Sequence, residues 1–209
     1  NNTVTLTVTD AYQNTATCSS TVTVVDNSKP TALCRNMTLN LNAAGSGTIS
    51  TSDINNGSSD NCAFTLALNK TSFNCSNVGS NTVTLTATDA SGNTAACQGS
   101  VTVKDVTAPT AVCKNVSVVL GSNGEVSVTP QQLDNGSSDV CGIQSMTLNT
   151  STFNCSKVGA NNVTLTVTDA GGNTSTCASV VTVSDNLKPT AVCKNATVTL
   201  NASGTGSLT

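Results

Sequence analysis

Ten cysteines and no histidine are the residues of this chain with the clearest chemistry. Sulfur can bind a metal ion or form a disulfide, and zinc sites favour closely spaced cysteines or mixed groups of cysteine and histidine. Cys62 and Cys75 are the two cysteines closest in the sequence, and they are far too distant from each other to form a CxxC pair. The sequence therefore predicts disulfides. Because disulfides persist in oxidising compartments, it also predicts an extracellular or cell-surface protein.

The cysteines recur with a period of about 80 residues, and so does the text around them, which predicts tandem copies of one structural unit. The segment VTLTVTDAYQNTATC at Val4 returns as VTLTATDASGNTAAC at Val83 and VTLTVTDAGGNTSTC at Val163. Each period ends in an aspartate, a short spacer and a proline, which is typical of a linker because proline lacks a backbone donor. The predicted complete domains are residues 30–108 and 109–188, with residues 1–29 as the last strands of a preceding repeat and residues 189–209 as the first strands of a following one.

The elements that position these residues are predicted to be short strands. Apolar residues alternate with threonine or asparagine, as in Met37, Leu39 and Leu41 and again in Val83 and Leu85. Six or seven such strands in about 80 residues, without a helical period, predict an Ig-like or fibronectin-like sandwich. The expected fold class is all-β, with tandem sandwiches in an elongated array.

The cysteines of each repeat are predicted to form two disulfides. In a sandwich the first and last strands run parallel from the same end, so Cys34 can face Cys97, and this leaves Cys62 to pair with Cys75 across a short loop. The second repeat supplies the corresponding cysteines 113, 141, 155 and 177. The predicted set of bonded residues is Cys34, Cys97, Cys62, Cys75, Cys113, Cys177, Cys141 and Cys155. Cys18 and Cys193 are expected to pair within repeats that this sequence contains only in part.

Eight of the eleven acidic residues also recur with the period. We expect three of each set to meet where one repeat joins the next, and carboxylates with nearby amide and carbonyl oxygens suit Ca²⁺, which takes six to eight oxygen ligands. The alternative is that these aspartates cap turns and face solvent. The predicted ligands are Asp26, Asp60 and Asp89 at one junction, and Asp105, Asp139 and Asp169 at the next.

Composition argues against several other functions. A net charge of −3 does not suit a nucleic-acid partner, which needs a basic face. No apolar run approaches the roughly 20 residues of a membrane span. Without histidine a serine or cysteine nucleophile lacks its usual base, and carboxylate pairs recur in every repeat, so we do not expect an enzyme.

The periodic motifs resemble those of the hyalin repeat (HYR) domain. The resemblance rests on the opening Pro-Thr-Ala-Leu-Cys34 and on the stretch from Phe73 through Val78-Gly79 to Asp89, Gly92-Asn93 and Cys97. It covers both complete repeats and the two partial ones. It implies a disulfide between the opening cysteine and the one after the Gly-Asn turn, a role in adhesion or extension, and no catalytic residues. The extra cysteines are similar to those of HYR repeats strung in tandem in giant bacterial surface adhesins, including gliding-motility adhesins.

The predicted function is a structural, non-catalytic stalk or filament of a cell-surface adhesin. Its expected partners are neighbouring repeats of the same chain, with lateral self-association into fibres and surface glycans as further expectations. The alternative is a ligand- or glycan-binding adhesin module. A further hypothesis is that the threonine stripe Thr84, Thr86 and Thr88 forms an ice-binding surface.

Overall fold

Residues 2–207 are described by a computed structural model, and most of them outside the linkers and turns lie in β-strands. The strands of the amino-terminal hairpin are β1 (Asn2–Thr9) and β2 (Thr15–Val22). The first complete repeat contains β3 (Met37–Asn40), β4 (Ser46–Thr48), β5 (Phe64–Leu68), β6 (Ser72–Asn74), β7 (Gly79–Asp89) and β8 (Thr94–Lys104). The second contains β9 (Val116–Val119), β10 (Glu125–Ser127), β11 (Ile143–Leu148), β12 (Thr152–Asn154), β13 (Gly159–Asp169) and β14 (Thr174–Ser184).

Each complete repeat forms a four-stranded sheet and a two-stranded sheet. The larger sheets have the orders β3-β8-β7-β5 and β11-β13-β14-β9, and the smaller ones pair β4 with β6 and β10 with β12. The first strand runs parallel to the last one in both repeats, as β3 with β8 and β9 with β14. The predicted all-β, Ig-like fold is therefore confirmed.

Strand β7 shows how the alternating sequence makes the core. Val83, Leu85 and Ala87 are fully buried, because successive side chains of a strand point to opposite faces. The threonines between them are half-buried rather than exposed. Thr84, Thr86 and Thr88 lie on the face of β7 opposite these core residues, and an ice-binding role for them stays a prediction.

Each repeat has its own small core of aliphatic residues with a single phenylalanine. The first consists of Leu41, Ile49, Ile54, Phe73, Val83, Leu85, Val101 and Val103. The second consists of Leu120, Val128, Leu133, Phe153, Val163, Val181 and Val183.

A one-turn helix that the alternation did not predict lies between β4 and β5. Helix α1 (Thr51–Ile54) begins after Ser50, whose backbone N–H donates to the Asp53 carboxylate over 2.7 Å. The second repeat has the same element, α2 (Pro130–Leu133), in which the backbone N–H of Thr129 donates to the Gln132 side chain. This reciprocal cap fixes a turn that delivers Ile54 or Leu133 into the core.

We expect Ile54→Ala to lower the free energy of unfolding by about 3 kcal/mol, because truncation leaves a cavity in a site with no exposed surface. Chemical denaturation followed by circular dichroism measures the loss. Leu33→Ala is the matched control, since Leu33 is 46% exposed, and it should change stability by less than about 0.5 kcal/mol. Equal losses for the two variants would contradict the assignment of Ile54 to the core.

The described chain divides into two compact units. One consists of the chain up to Thr110 with Ser137–Ser145 and Val167–Ser175, and the other of Ala111–Gly136, Met146–Thr166 and the chain from Thr176 onward. The domain limits at residues 30, 109 and 189 remain a prediction from the sequence period. Within residues 2–207, no helix is long and apolar enough to cross a membrane.

Candidate metal sites and disulfides

Three of the predicted calcium ligands lie together at the beginning of the first complete repeat. One carboxylate oxygen each from Asp26, Asp60 and Asp89 lies within 4.8 Å of the other two. Asp89 is only 6% exposed, and Asp26 and Asp60 are half-buried. The structure thus brings together residues from three well-separated segments of the sequence.

The turn between β7 and β8 holds the carboxylate of Asp89. Its Oδ1 atom accepts hydrogen bonds from the backbone N–H groups of Ser91 (2.9 Å) and Asn93 (2.8 Å), and Oδ2 accepts one from Asn93 Nδ2 (2.8 Å). The Asn93 side chain is the main cause of a lowered pKa for Asp89. The same Nδ2 atom also donates to the main-chain oxygen of Asp26 (3.0 Å), so the turn holds the linker in place.

Asp26 and Asp60 are held less completely. The backbone N–H of Ser28 donates to Asp26 Oδ1 over 2.9 Å and is the main cause of the lowered pKa of Asp26. Asp26 Oδ2 is buried without a hydrogen-bond partner among the described residues, and Asp60 accepts a hydrogen bond from the backbone N–H of Cys62. The neighbouring Asp26 carboxylate, and more weakly those of Asp60 and Asp89, raise the pKa of the Cys62 thiol. This end of the repeat therefore carries a concentrated negative charge.

The second predicted ligand set is only partly brought together. Carboxylate oxygens of Asp105 and Asp139 lie within 4.8 Å of each other and of Cys141 Sγ, and Asp105 is 4% exposed. Thr107 donates its backbone N–H to Asp105 Oδ1, but the buried Oδ2 atom has no hydrogen-bond partner in the part of the chain that the structure describes. Cys141 is bonded to another cysteine, so its sulfur is not a thiolate ligand.

Asp169 stands outside this second group. It is fully buried, and its carboxylate accepts hydrogen bonds from the backbone N–H (2.8 Å) and the side-chain Nδ2 (2.9 Å) of Asn173. Asn173 in turn donates to the main-chain oxygens of Asp105 and Thr107. Asp169 therefore positions the linker through Asn173, and its place among the ligands remains a prediction.

The structure bonds Cys34 to Cys97 and Cys113 to Cys177, which is the pairing predicted for these four residues. Their Cα atoms lie 5.7 and 5.8 Å apart. This pairing follows from the parallel alignment of the first and last strands of each repeat.

The predicted local pairs Cys62–Cys75 and Cys141–Cys155 are wrong in this structure. Cys75 is bonded to Cys141, with Cα atoms 5.0 Å apart, whereas Cys62 and Cys155 are unbonded and exposed. The strands give the physical reason. Cys62 lies just before β5, which begins opposite Asp89 at the end of β7, and Cys75 lies just before the beginning of β7.

Strand β7 has eleven residues and spans about 36 Å, so the two cysteines lie near opposite ends of the repeat. A disulfide needs Cα atoms within about 7 Å of each other. Cys75 instead lies at the end where the next repeat begins, and there it meets Cys141 of that repeat.

No family model matches this chain, and no curated protein matches it by sequence. Solved structures similar to it include extracellular cadherin domains. Mouse clustered PcdhgC3 EC1-3 is 15% identical, with 88% of this chain and 77% of that chain covered and a TM-score of 0.35. Mouse cadherin-23 EC22-24 is 15% identical over 88% of this chain and 74% of that one, with a TM-score of 0.40.

A further similar structure is Drosophila N-cadherin EC1-4, which is 10% identical with a TM-score of 0.38. The match covers 75% of this chain and half of that one.

Proposed function

We propose that this chain is a structural, non-catalytic part of an extracellular adhesin stalk or filament built from hyalin-type repeats. The observation that carries the proposal is the disulfide between Cys75 and Cys141, which joins one sequence repeat to the next covalently. While consecutive repeats are folded, a bond in this position resists their separation under tension. Such a bond suits a chain that transmits force. A ligand-binding site would not require it.

Calcium at the repeat boundaries belongs to the same proposal. Asp105 is almost completely buried, and one of its oxygens has no hydrogen-bond partner within residues 2–207. Burying a carboxylate oxygen that accepts no hydrogen bond costs free energy, and a cation bound to that oxygen would compensate the cost. Asp105 and Asp139 would hold the ion at one boundary, and Asp26, Asp60 and Asp89 would hold it at the other.

A bound divalent cation would supply charge neutralisation at these boundaries. Each candidate set combines a linker aspartate (Asp26 or Asp105) with an aspartate from the following repeat (Asp60 or Asp139). Because the ligands come from the linker and from the following repeat, binding of the ion would also fix the linker. We therefore infer that calcium limits movement at the linker, as the disulfide does.

We expect calcium to raise the melting temperature of the chain relative to a chelator. At 100 times the Kd, a ligand stabilises the folded state by about 2.7 kcal/mol, and extracellular calcium modules have Kd values of about 10⁻⁴ to 10⁻³ M. For a Kd of about 10⁻⁴ M, ten millimolar calcium is 100 times the Kd and should raise the melting temperature by roughly 10 °C. Differential scanning calorimetry with and without chelator measures the shift.

The matched variants for this experiment are Asp26→Asn, Asp105→Asn and Glu125→Gln, each of which removes one negative charge. Glu125 is exposed and belongs to neither cluster, so its variant should keep the full calcium response. Each aspartate variant should lose the part of the response that comes from its own boundary. The calcium proposal fails if the unaltered chain melts at one temperature in calcium and in chelator.

A further inference from the structure

Two exposed cysteines occupy the same places in their repeats as the two that are bonded to each other. Cys62 corresponds to Cys141 one period later in the sequence, and Cys155 corresponds to Cys75 one period earlier. We propose that Cys62 and Cys155 are the open halves of the same inter-repeat disulfide. Each bonds to the complementary cysteine of another repeat of this type, so that the repeats are linked head to tail by a continuous series of disulfides.

The surroundings of Cys155 reproduce those of Cys75. Both residues begin a 3-10 turn capped by the preceding asparagine, whose side chain accepts the backbone N–H of the next serine. Cys75 Sγ lies 3.7 Å from the main-chain oxygen of Gly45, and Cys155 Sγ lies 3.6 Å from that of Gly124. Cys155 is therefore held as its bonded counterpart is held.

The surroundings of Cys62 reproduce those of Cys141. The backbone N–H of Cys62 donates to Asp60 (3.1 Å), and that of Cys141 donates to Asp139 (2.7 Å). Each cysteine lies beside a linker aspartate, Asp26 or Asp105. Both repeats therefore hold this cysteine in the same local setting.

The two halves are directional. Cys75 and Cys155 each lie just before the beginning of the eleven-residue strand of their repeat, β7 or β13. Cys62 and Cys141 each lie near the other end of that strand. A repeat therefore offers a different cysteine at each of its ends. Only the pairing of one type with the other reproduces the bond between Cys75 and Cys141, so two Cys62 residues or two Cys155 residues are not expected to join.

Formation of the bond requires a two-electron oxidant, and a small-molecule disulfide such as oxidised glutathione is sufficient. The Cys62 thiolate attacks one sulfur of that disulfide, which forms a mixed disulfide and releases one glutathione thiolate. The Cys155 thiolate of the other repeat then attacks Cys62 Sγ and releases the second glutathione. The two thiol protons end on the two glutathione molecules, which carry the two electrons.

Mixing two variants of the full chain tests the pairing between copies. Both carry Cys18→Ser and Cys193→Ser, which remove the other unbonded cysteines, and one adds Cys62→Ser while the other adds Cys155→Ser. In a glutathione redox buffer, each variant alone should stay at 20.9 kDa on a non-reducing gel. The mixture should shift to twice that mass, and peptide mapping should find Cys155 joined to Cys62.

A lengthened chain, residues 1–188 followed by residues 30–209, tests the pairing within one chain. It places the first Cys155 and the second Cys62 66 residues apart, which is the separation of Cys75 and Cys141. Peptide mapping should find these two joined in the monomer. A dimer only in the mixture assigns the bond to a second copy, and a bond only in the lengthened chain assigns it to the neighbouring repeat.

Two results would overturn the proposal. One is the absence of the bond from both the mixture and the lengthened chain. The other is a dimer of equal yield from either variant alone, which would show indiscriminate thiol oxidation. The test does not involve calcium, so it can fail while the boundary cation sites stand, and the reverse also holds.

Discussion

Reduction of the disulfides should lengthen the fully stretched chain by about 440 Å, because each residue released from a closed loop adds about 3.3–3.6 Å of extended chain. When the chain is pulled from its two ends, the bonds Cys34–Cys97 and Cys113–Cys177 exclude 63 and 64 residues from the path that carries the force. Only the short segment from Cys97 to Cys113 connects the two bonded pairs along that path. The two loops therefore hold most of the available length.

Single-molecule force spectroscopy on the whole chain measures this length directly. The oxidised chain should show no unfolding step that releases a whole repeat, and the same molecule in reductant should release both loops. A chain with the same contour length in both conditions would contradict the disulfide framework. It would also remove the mechanical basis of the proposed stalk.

The bond between Cys75 and Cys141 can be isolated by the same measurement. Both cysteines lie inside loops that the other two disulfides already shield, so this bond does not shorten the taut path of the intact chain. A variant with serine at Cys34, Cys97, Cys113 and Cys177 leaves it as the only one of the three. Reduction of that variant should add about 230 Å, from the 66 residues between its two cysteines.

The alternation of apolar residues with threonine or asparagine was sufficient to predict the strands, and the sandwich fold that they indicate predicted the pairing of the first strand with the last. The reason is that a period of two residues is specific for a strand with one buried face. The helices α1 and α2 were missed because four residues are too few to show a helical period. Their signal was the reciprocal cap, Ser50 with Asp53 and Thr129 with Gln132, which also explains why Asp53 has no acidic counterpart in the second repeat.

The cysteine pairing shows where sequence distance misleads. Cys62 and Cys75 are close in the chain, but strand β5 lies between them and carries the chain from one end of the repeat toward the other. Counting strand lengths before pairing cysteines would have excluded that bond. The true partner of Cys75 lies in the next repeat, and no pattern within a single repeat identifies it.

The clustering of Asp26, Asp60 and Asp89 could be predicted because the positions of all three follow from strand direction. Asp60 precedes the strand that begins opposite Asp89, and the linker that carries Asp26 enters at the same end. Asp169 shows the limit of this reasoning. Its position in the turn is equivalent to that of Asp89, but its oxygens lie outside the group formed by Asp105 and Asp139. That difference depends on side-chain placement and is not visible in the spacing of the residues.

Loss of the bond between Cys34 and Cys97 should be the most damaging small change to the first repeat. In the chain-entropy account, a cross-link that closes a loop of 63 residues stabilises the folded state by about 4 kcal/mol. A small domain has a total stability of only about 5–15 kcal/mol, and the core here consists of eight buried residues with one aromatic ring. In a marginal domain, this one disulfide therefore supplies most of the free energy of unfolding.

We expect Cys34→Ala with Cys97→Ala to lower the free energy of unfolding by about 4 kcal/mol, as measured by urea denaturation under oxidising conditions. Cys113→Ala with Cys177→Ala should cost the second repeat the same amount, because its loop of 64 residues is almost the same length. Cys62→Ser is the control, since that residue is exposed and unbonded, and it should change stability by less than about 0.5 kcal/mol. If the double variants were no less stable than this control, the aliphatic cores alone would hold the repeats together, and covalent cross-links would have a purely mechanical role.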